Sequence, residues 1–188
     1  MGGIILTGSI PKLPFLTAGA TICTPVDCKK TEIEMRRNCF NMYQHNLGNI
    51  IWNLLLENKD QLQDELKEKA GYDLVEKVAE LKRERAATVS SVDDLVIAPC
   101  FGYRDRFHYY ETIGPVDRLY QVKIPLLWLM AEDDPFNGTD FGRDVFKQNP
   151  NIALATTKRG GHVAARESLW AQHIWFIDPV VKLSLINI

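Results

Sequence analysis

Two short apolar runs constrain this chain more than anything else in it: Ile124-Pro125-Leu126-Leu127-Trp128-Leu129-Met130 and Ile152-Ala153-Leu154-Ala155-Thr156-Thr157. Each is near-continuously apolar, and each stops at a cluster of turn-forming residues. That is the pattern of a strand covered on both faces of a sheet. The stretch between them has room for a helix over about 138–148, of roughly ten to twelve residues, so the segment reads as a parallel βαβ unit. Open parallel sheets collect their functional groups just beyond the C-terminal ends of the strands. Beyond the first run lies Ala131-Glu132-Asp133-Asp134-Pro135-Phe136, and beyond the second Lys158-Arg159-Gly160-Gly161-His162.

A carboxylate at one strand end and an imidazole at the next suit acyl transfer. There a histidine accepts the nucleophile's proton while a carboxylate holds the ring in the required tautomer. Of the four histidines, His162 is the candidate, because Gly160 and Gly161 let the backbone turn sharply beside the ring. His45 and His108 fall in a helical insertion and His173 on an expected final helix, with no role assigned. Asp133 and Asp134 compete for the carboxylate. Asp-Pro after a strand is also a plain turn signal, and the turn pattern favours Asp134 as the orienting group, with Asp133 supporting it or facing solvent. If both residues only shape turns in an unrelated α/β binding domain, the Asp134 and His162 side chains should lie more than about 6 Å apart, beyond hydrogen-bond reach.

The nucleophile is the missing piece. No G-x-S-x-G elbow is present. Ser9, in Gly8-Ser9-Ile10-Pro11, lacks the glycine two residues on and follows no strand; Ser90 and Ser91 sit in a polar connector. Cys23 and Cys28 lie near a strand end, yet no histidine is close in sequence and buried structural thiols are commoner. The opening Met1-Gly2-Gly3-Ile4-Ile5-Leu6 reads in two ways: a start with a flexible leader, or the tail of an elbow cut immediately after its serine. In the second reading the Met1 backbone nitrogen is an oxyanion-hole donor.

Elsewhere, residues 1–7 suit the first turns of a helix that Thr7-Gly8-Ser9-Ile10-Pro11-Lys12-Leu13-Pro14 should break. Ala18 to Thr24 reads as a buried strand ending at Pro25. From about Lys29 to Arg85 the periodicity is helical, with Leu47, Ile50, Ile51, Leu54 and Leu55 forming one apolar stripe. Gly71 interrupts it, and Leu74, Val75, Val78 and Leu81 mark a second amphipathic helix. Such a block between two strands looks like a lid. A last helix is expected from about Ala165.

The composition narrows the function classes. A chain of 188 residues, 46% hydrophobic and 24% charged, is long enough for one soluble domain. A net charge of −2 gives no electrostatic case for nucleic acid or an anionic membrane surface. The four cysteines form no C-x-x-C pair and have no histidine at ligand spacing, so neither a metal nor a cofactor is expected. The longest apolar run, Pro125 to Ala131, is too short to cross a bilayer; a cytoplasmic location is expected. Asn137-Gly138-Thr139 matches a glycosylation sequon, relevant only to a secreted protein.

The order and spacing of Phe101-Gly102-Tyr103, His108-Tyr109-Tyr110, Ile124-Pro125-Leu126-Leu127, Ala131-Glu132-Asp133-Asp134-Pro135, Asn149-Pro150-Asn151 and Gly160-Gly161-His162 resemble one α/β-hydrolase group. It comprises the α/β-hydrolase domain-containing lipases, plant embryogenesis-associated esterases and yeast medium-chain ethyl ester acyltransferases. The resemblance covers roughly residues 1–175. It implies the C-terminal part of an α/β-hydrolase fold, with parallel strands, flanking helices and a helical lid over about 28–115, and core units over about 1–27 and 116–188. It further implies a serine hydrolase of acyl esters such as acylglycerols or phospholipids. Asp134 and His162 match the group's triad positions, and Met1-Gly2-Gly3 matches the tail of its elbow. The serine, the other oxyanion donor, most of the sheet and any N-terminal membrane segment of the group have no counterpart in these 188 residues. Two expectations follow: a portion of a longer enzyme, inactive alone, or a catalytically dead binding or regulatory protein.

Overall fold

A computed structural model describes residues 2–137, 142–163 and 177–186. Along the chain run helix α1 (Gly2–Ser9), strand β1 (Gly19–Ile22), helices α2 (Cys28–Arg37), α3 (Met42–Glu57), α4 (Lys59–Ala70), α5 (Leu74–Arg83), α6 (Val89–Val92), α7 (Ala98–Phe101) and α8 (Arg106–Ile113), strands β2 (Leu126–Ala131) and β3 (Ile152–Thr157), and helix α9 (Ile177–Ile186). They form two compact units, one of residues 1–34 and 113–188 and the other Met35–Thr112. No helix among the described residues is long and apolar enough to cross a membrane.

The first unit holds a three-stranded sheet in the order β1-β2-β3, parallel throughout. The central strand β2 is buried along nearly its whole length, as its unbroken apolar run requires. Leu126, Trp128 and Met130 point into a core with Ile10, Val26, Leu119, Val122, Phe146 and Ile152. Leu127 and Leu129 face the other side, with Ile22, Ala155 and Val180. The register sets Ile22 beside Leu129 and Ala131 beside Thr157, so all three strands stop at one edge.

Two local expectations change here. Helix α1 runs on to Ser9, and a 3₁₀ turn at Ile10–Lys12 follows it. Pro11 sits in the first turn of that segment, where a missing N–H costs nothing. The described part of the β2–β3 crossover, Arg143–Gln148, is 3₁₀ rather than α-helical. Gly142 starts it at φ 78°, Val145 donates to the Gly142 carbonyl, and Lys147 pairs with Asp144 at the i,i+3 spacing of three residues per turn. Residues 138–141 of the expected helix lie outside the described residues, as do 164–176 of the expected final helix; α9 is described from Ile177.

The second unit is entirely helical. Its core joins Trp52, Leu66, Leu74, Val78, Leu81, Ala87, Val92 and Val96. On α3 the expected stripe is displaced: Ile50 and Leu54 are exposed, and the buried line is Gln44, Gly48 and Trp52. Close backbone contact is the cause. A Cβ on Gly48 would stand 2.3 Å from the Thr88 carbonyl carbon and 2.7 Å from the Val89 nitrogen. Gln44 Oε1 accepts the Ser90 N–H, and the Trp52 indole N–H donates to Ser91 Oγ, so the polar start of α6 sets which face of α3 turns inward. In an open helix Gly→Ala gains roughly 1 kcal/mol. Gly48→Ala should reverse that sign and cost about 1–3 kcal/mol through overpacking against backbone, read as a lower urea midpoint.

Candidate active site

Three strand ends converge on one spot. Beyond β2, Asp134 is fully buried, with its own N–H donating to the Ala131 carbonyl at 3.3 Å. Its carboxylate accepts from the Phe136 N–H at 2.8 Å through Oδ1, and from Asn137 Nδ2 at 2.9 Å through Oδ2. Beyond β3, Gly161 (φ 57°) and Val163 (φ 65°) flank His162 in left-handed conformations. Such a conformation is an outlier for a β-branched residue. Asp133 secures the turn by accepting the Gly161 N–H at 2.8 Å.

His162 Nδ1 lies 3.0 Å from Asp134 Oδ2. That distance is within hydrogen-bond reach, well inside the roughly 6 Å beyond which a turn-only reading of the two residues would be favoured. An ionised carboxylate only accepts, so Nδ1 carries a proton, and in the neutral ring that leaves the lone pair on Nε2. The Phe136 ring meets the imidazole edge-on at 4.3 Å between centroids. Burial is the largest single influence on the Asp134 carboxyl and would raise its pKa. The His162 hydrogen bond, the Phe136 N–H, the His162 charge and the Asn137 amide together outweigh it and hold the carboxyl below its ordinary range. A buried anion fixed against an imidazole that is 36% exposed can orient a proton carrier.

Both aspartates are therefore used, Asp134 on the ring and Asp133 on the turn that presents it. Met1, the expected oxyanion donor, lies outside the described residues, as does His173. Among the described residues no serine hydrogen-bonds His162. Ser90 and Ser91 belong to the second unit, where Ser91 completes a capping box with Thr88. His45 bonds Asn41, and His108 Nδ1 accepts the Arg104 N–H.

Sequence reasoning missed two residues. Asn137, visible there only as a sequon, is 3% exposed. Its amide bonds Asp134 and the Cys23 carbonyl, and its Oδ1 accepts from Thr31. Asn137→Ala should cost about 1–3 kcal/mol by stranding buried polar partners, read as a lower denaturation midpoint. Cys23 was passed over because no histidine is near it in sequence, yet it directly follows β1 at φ 49° and its sulfur accepts the Val163 N–H at 3.4 Å.

No protein-family model matches the chain. Mouse "Phospholipase ABHD3" is 37% identical over 99 residues, covering 52% of this chain and 24% of that protein. Saccharomyces cerevisiae "Monoacylglycerol lipase" is 34% identical over 110 residues, 58% of this chain and 23% of that protein. Yeast "Medium-chain fatty acid ethyl ester synthase/esterase 2" is 23% identical over 161 residues, 79% of this chain and 36% of that protein. The chain thus spans about a quarter of the length of the first two of these curated relatives.

Proposed function

We propose, from the premise that this chain is related over part of its length to the α/β-hydrolase superfamily, that it carries the carboxylate and imidazole of a Ser-Asp-His triad that cleaves acyl esters. The observation behind this reading is the 3.0 Å Asp134–His162 contact at the ends of adjacent parallel strands. Asp134 holds the Nδ1–H tautomer. His162 Nε2 takes the proton from a serine Oγ as that oxygen attacks the ester carbonyl, then returns it to the departing alcohol. Water then adds to the acyl-enzyme, losing a proton to Nε2, and Nε2 returns that proton to the serine Oγ as the acid leaves. The serine lies on a segment preceding Met1, whose amide nitrogen donates to the oxyanion.

The names of the relatives point to acylglycerols and phospholipids as the substrate class. Residues 28–115 act as a lid, a reading supported by the wholly helical Met35–Thr112 unit. Membrane contact belongs to sequence N-terminal to this chain.

Fluorophosphonate labelling of the endogenous protein, detected by an antibody to residues of this chain, tests the proposal. A labelled band well above 21.4 kDa is expected. An unlabelled band at that mass would overturn it in favour of a non-catalytic binding protein.

A further inference from the structure

The Cys23 thiol, an Asp134 carboxylate oxygen and a His162 ring nitrogen lie within 4.8 Å of one another. We propose that these three side chains form a binding site for a divalent, thiophilic cation of the Zn²⁺ class, seated between the imidazole and the carboxylate that otherwise share a proton. Cysteine and histidine are separated in the chain by the whole helical unit, so no C-x-x-C or His spacing in the sequence announces the site.

The donor set selects the metal. One sulfur, one nitrogen and one oxygen suit a borderline-soft tetrahedral ion and disfavour Mg²⁺ and Ca²⁺, which take oxygen ligands. Thiolate and carboxylate together neutralise a double positive charge. Tetrahedral zinc with bonds of about 2.0–2.3 Å separates its ligand atoms by about 3.3–3.8 Å. The present contacts, from 3.0 Å for Nδ1–Oδ2 up to the 4.8 Å limit, bracket that range.

Each ligand is already held by a second layer of contacts. The Cys23 backbone donates to the Leu129 carbonyl at 2.8 Å and accepts from Asn137, and its sulfur accepts the Val163 N–H, a bond that stabilises thiolate. Phe136 and Asn137 hold the carboxylate, while Phe136 and the Asp133–Gly161 bond hold the imidazole. Cys23 and Asp134 are buried and His162 is partly exposed, so the cation enters from the histidine side.

Protons balance as follows. Nδ1 coordinates only in the neutral ring with its proton on Nε2, so the ring changes tautomer without net loss. The thiol proton leaves to solvent, about one per cation bound. Without metal, burial is the main influence on Cys23 and raises its pKa; the Asp134 charge adds to the rise and the Val163 N–H opposes it. Cys23 is then a neutral thiol, poorly suited to be a nucleophile. Metal binding stands apart from the hydrolase reading. Its consequence for that reading, loss of imidazole orientation and hence inhibition, depends on it.

Co²⁺ titration of the 188-residue chain tests the site. One equivalent should produce a thiolate-to-cobalt charge-transfer band that Zn²⁺ displaces. Cys23→Ser should abolish the band and Cys100→Ser should keep it. No band, or a band that survives Cys23→Ser, overturns the proposal. If Cys23→Ser does not fold, the unaltered chain decides: Zn²⁺ should slow alkylation of Cys23, mapped by peptide mass, and an unchanged rate overturns the site. None of these readouts uses ester turnover, so failure of the metal site and failure of the hydrolase reading are distinguishable.

Discussion

In a product that carries the serine, Asp134→Asn should lower kcat by roughly 10⁴-fold, the scale seen when a triad carboxylate becomes an amide. Asparagine is nearly isosteric and keeps an acceptor for the Phe136 N–H. The atom it places at Oδ2 is an NH₂ group, which faces both the Asn137 amide and the imidazole. The ring must then present Nδ1 as an acceptor and carry its proton on Nε2, the atom that should take the serine proton. Steady-state turnover of a soluble ester, with circular dichroism to establish folding, checks the result; activity within tenfold of the parent would remove Asp134 from the mechanism. The same substitution alters acid stability. The folded Asp134 carboxyl titrates below its unfolded value of about 3.9. Its stabilising contribution is complete above that unfolded value and disappears as pH falls through the lower folded one. Urea midpoints measured down that range should fall less steeply for Asp134→Asn.

Trp52→Ala should be the most damaging single change in the helical unit, at about 3–5 kcal/mol for an aromatic truncated in a core. Trp52 is fully buried among Leu66, Leu74 and Val78. Its indole N–H also satisfies Ser91 at 2.9 Å, so truncation opens a cavity and removes a buried donor together. Trp52→Phe retains much of the packing and should cost less, with the lost hydrogen bond contributing about 1 kcal/mol. Chemical denaturation followed by far-ultraviolet circular dichroism separates the two variants. Equal midpoints for both would place the energy in the hydrogen bond rather than in the ring.

The sheet was legible because its information is local. β2 is an unbroken apolar run and β3 is apolar up to its last two threonines, and turn residues mark where they stop. Asp134 and His162 could be read for the same reason, since each lies next to a strand end. The inward face of α3 was not legible from hydrophobic periodicity. Gln44 and Gly48 are a polar residue and a residue without a side chain, and they are buried by hydrogen bonding and backbone approach that hydropathy does not register. Cys23 and Asn137 stayed hidden for another reason. Asn137 reaches the Cys23 carbonyl, and Cys23 the Val163 N–H, across more than a hundred residues of chain that only the strand register brings together.

That register also governs the order of assembly. β1 pairs in parallel with β2, and the chain between them includes all of Met35–Thr112. Parallel pairing across so long a connection requires loop closure before any ladder bond rewards it, which makes it a slow, high-contact-order event. Asp134 and His162 can meet once β2 and β3 have paired, whereas Cys23 joins them only after β1 adds to the other edge of β2. Refolding should therefore restore the imidazole–carboxylate contact ahead of the thiol. During that interval Cys23 is open to oxidants and alkylating reagents that reach it far more slowly in the finished fold, where it is buried.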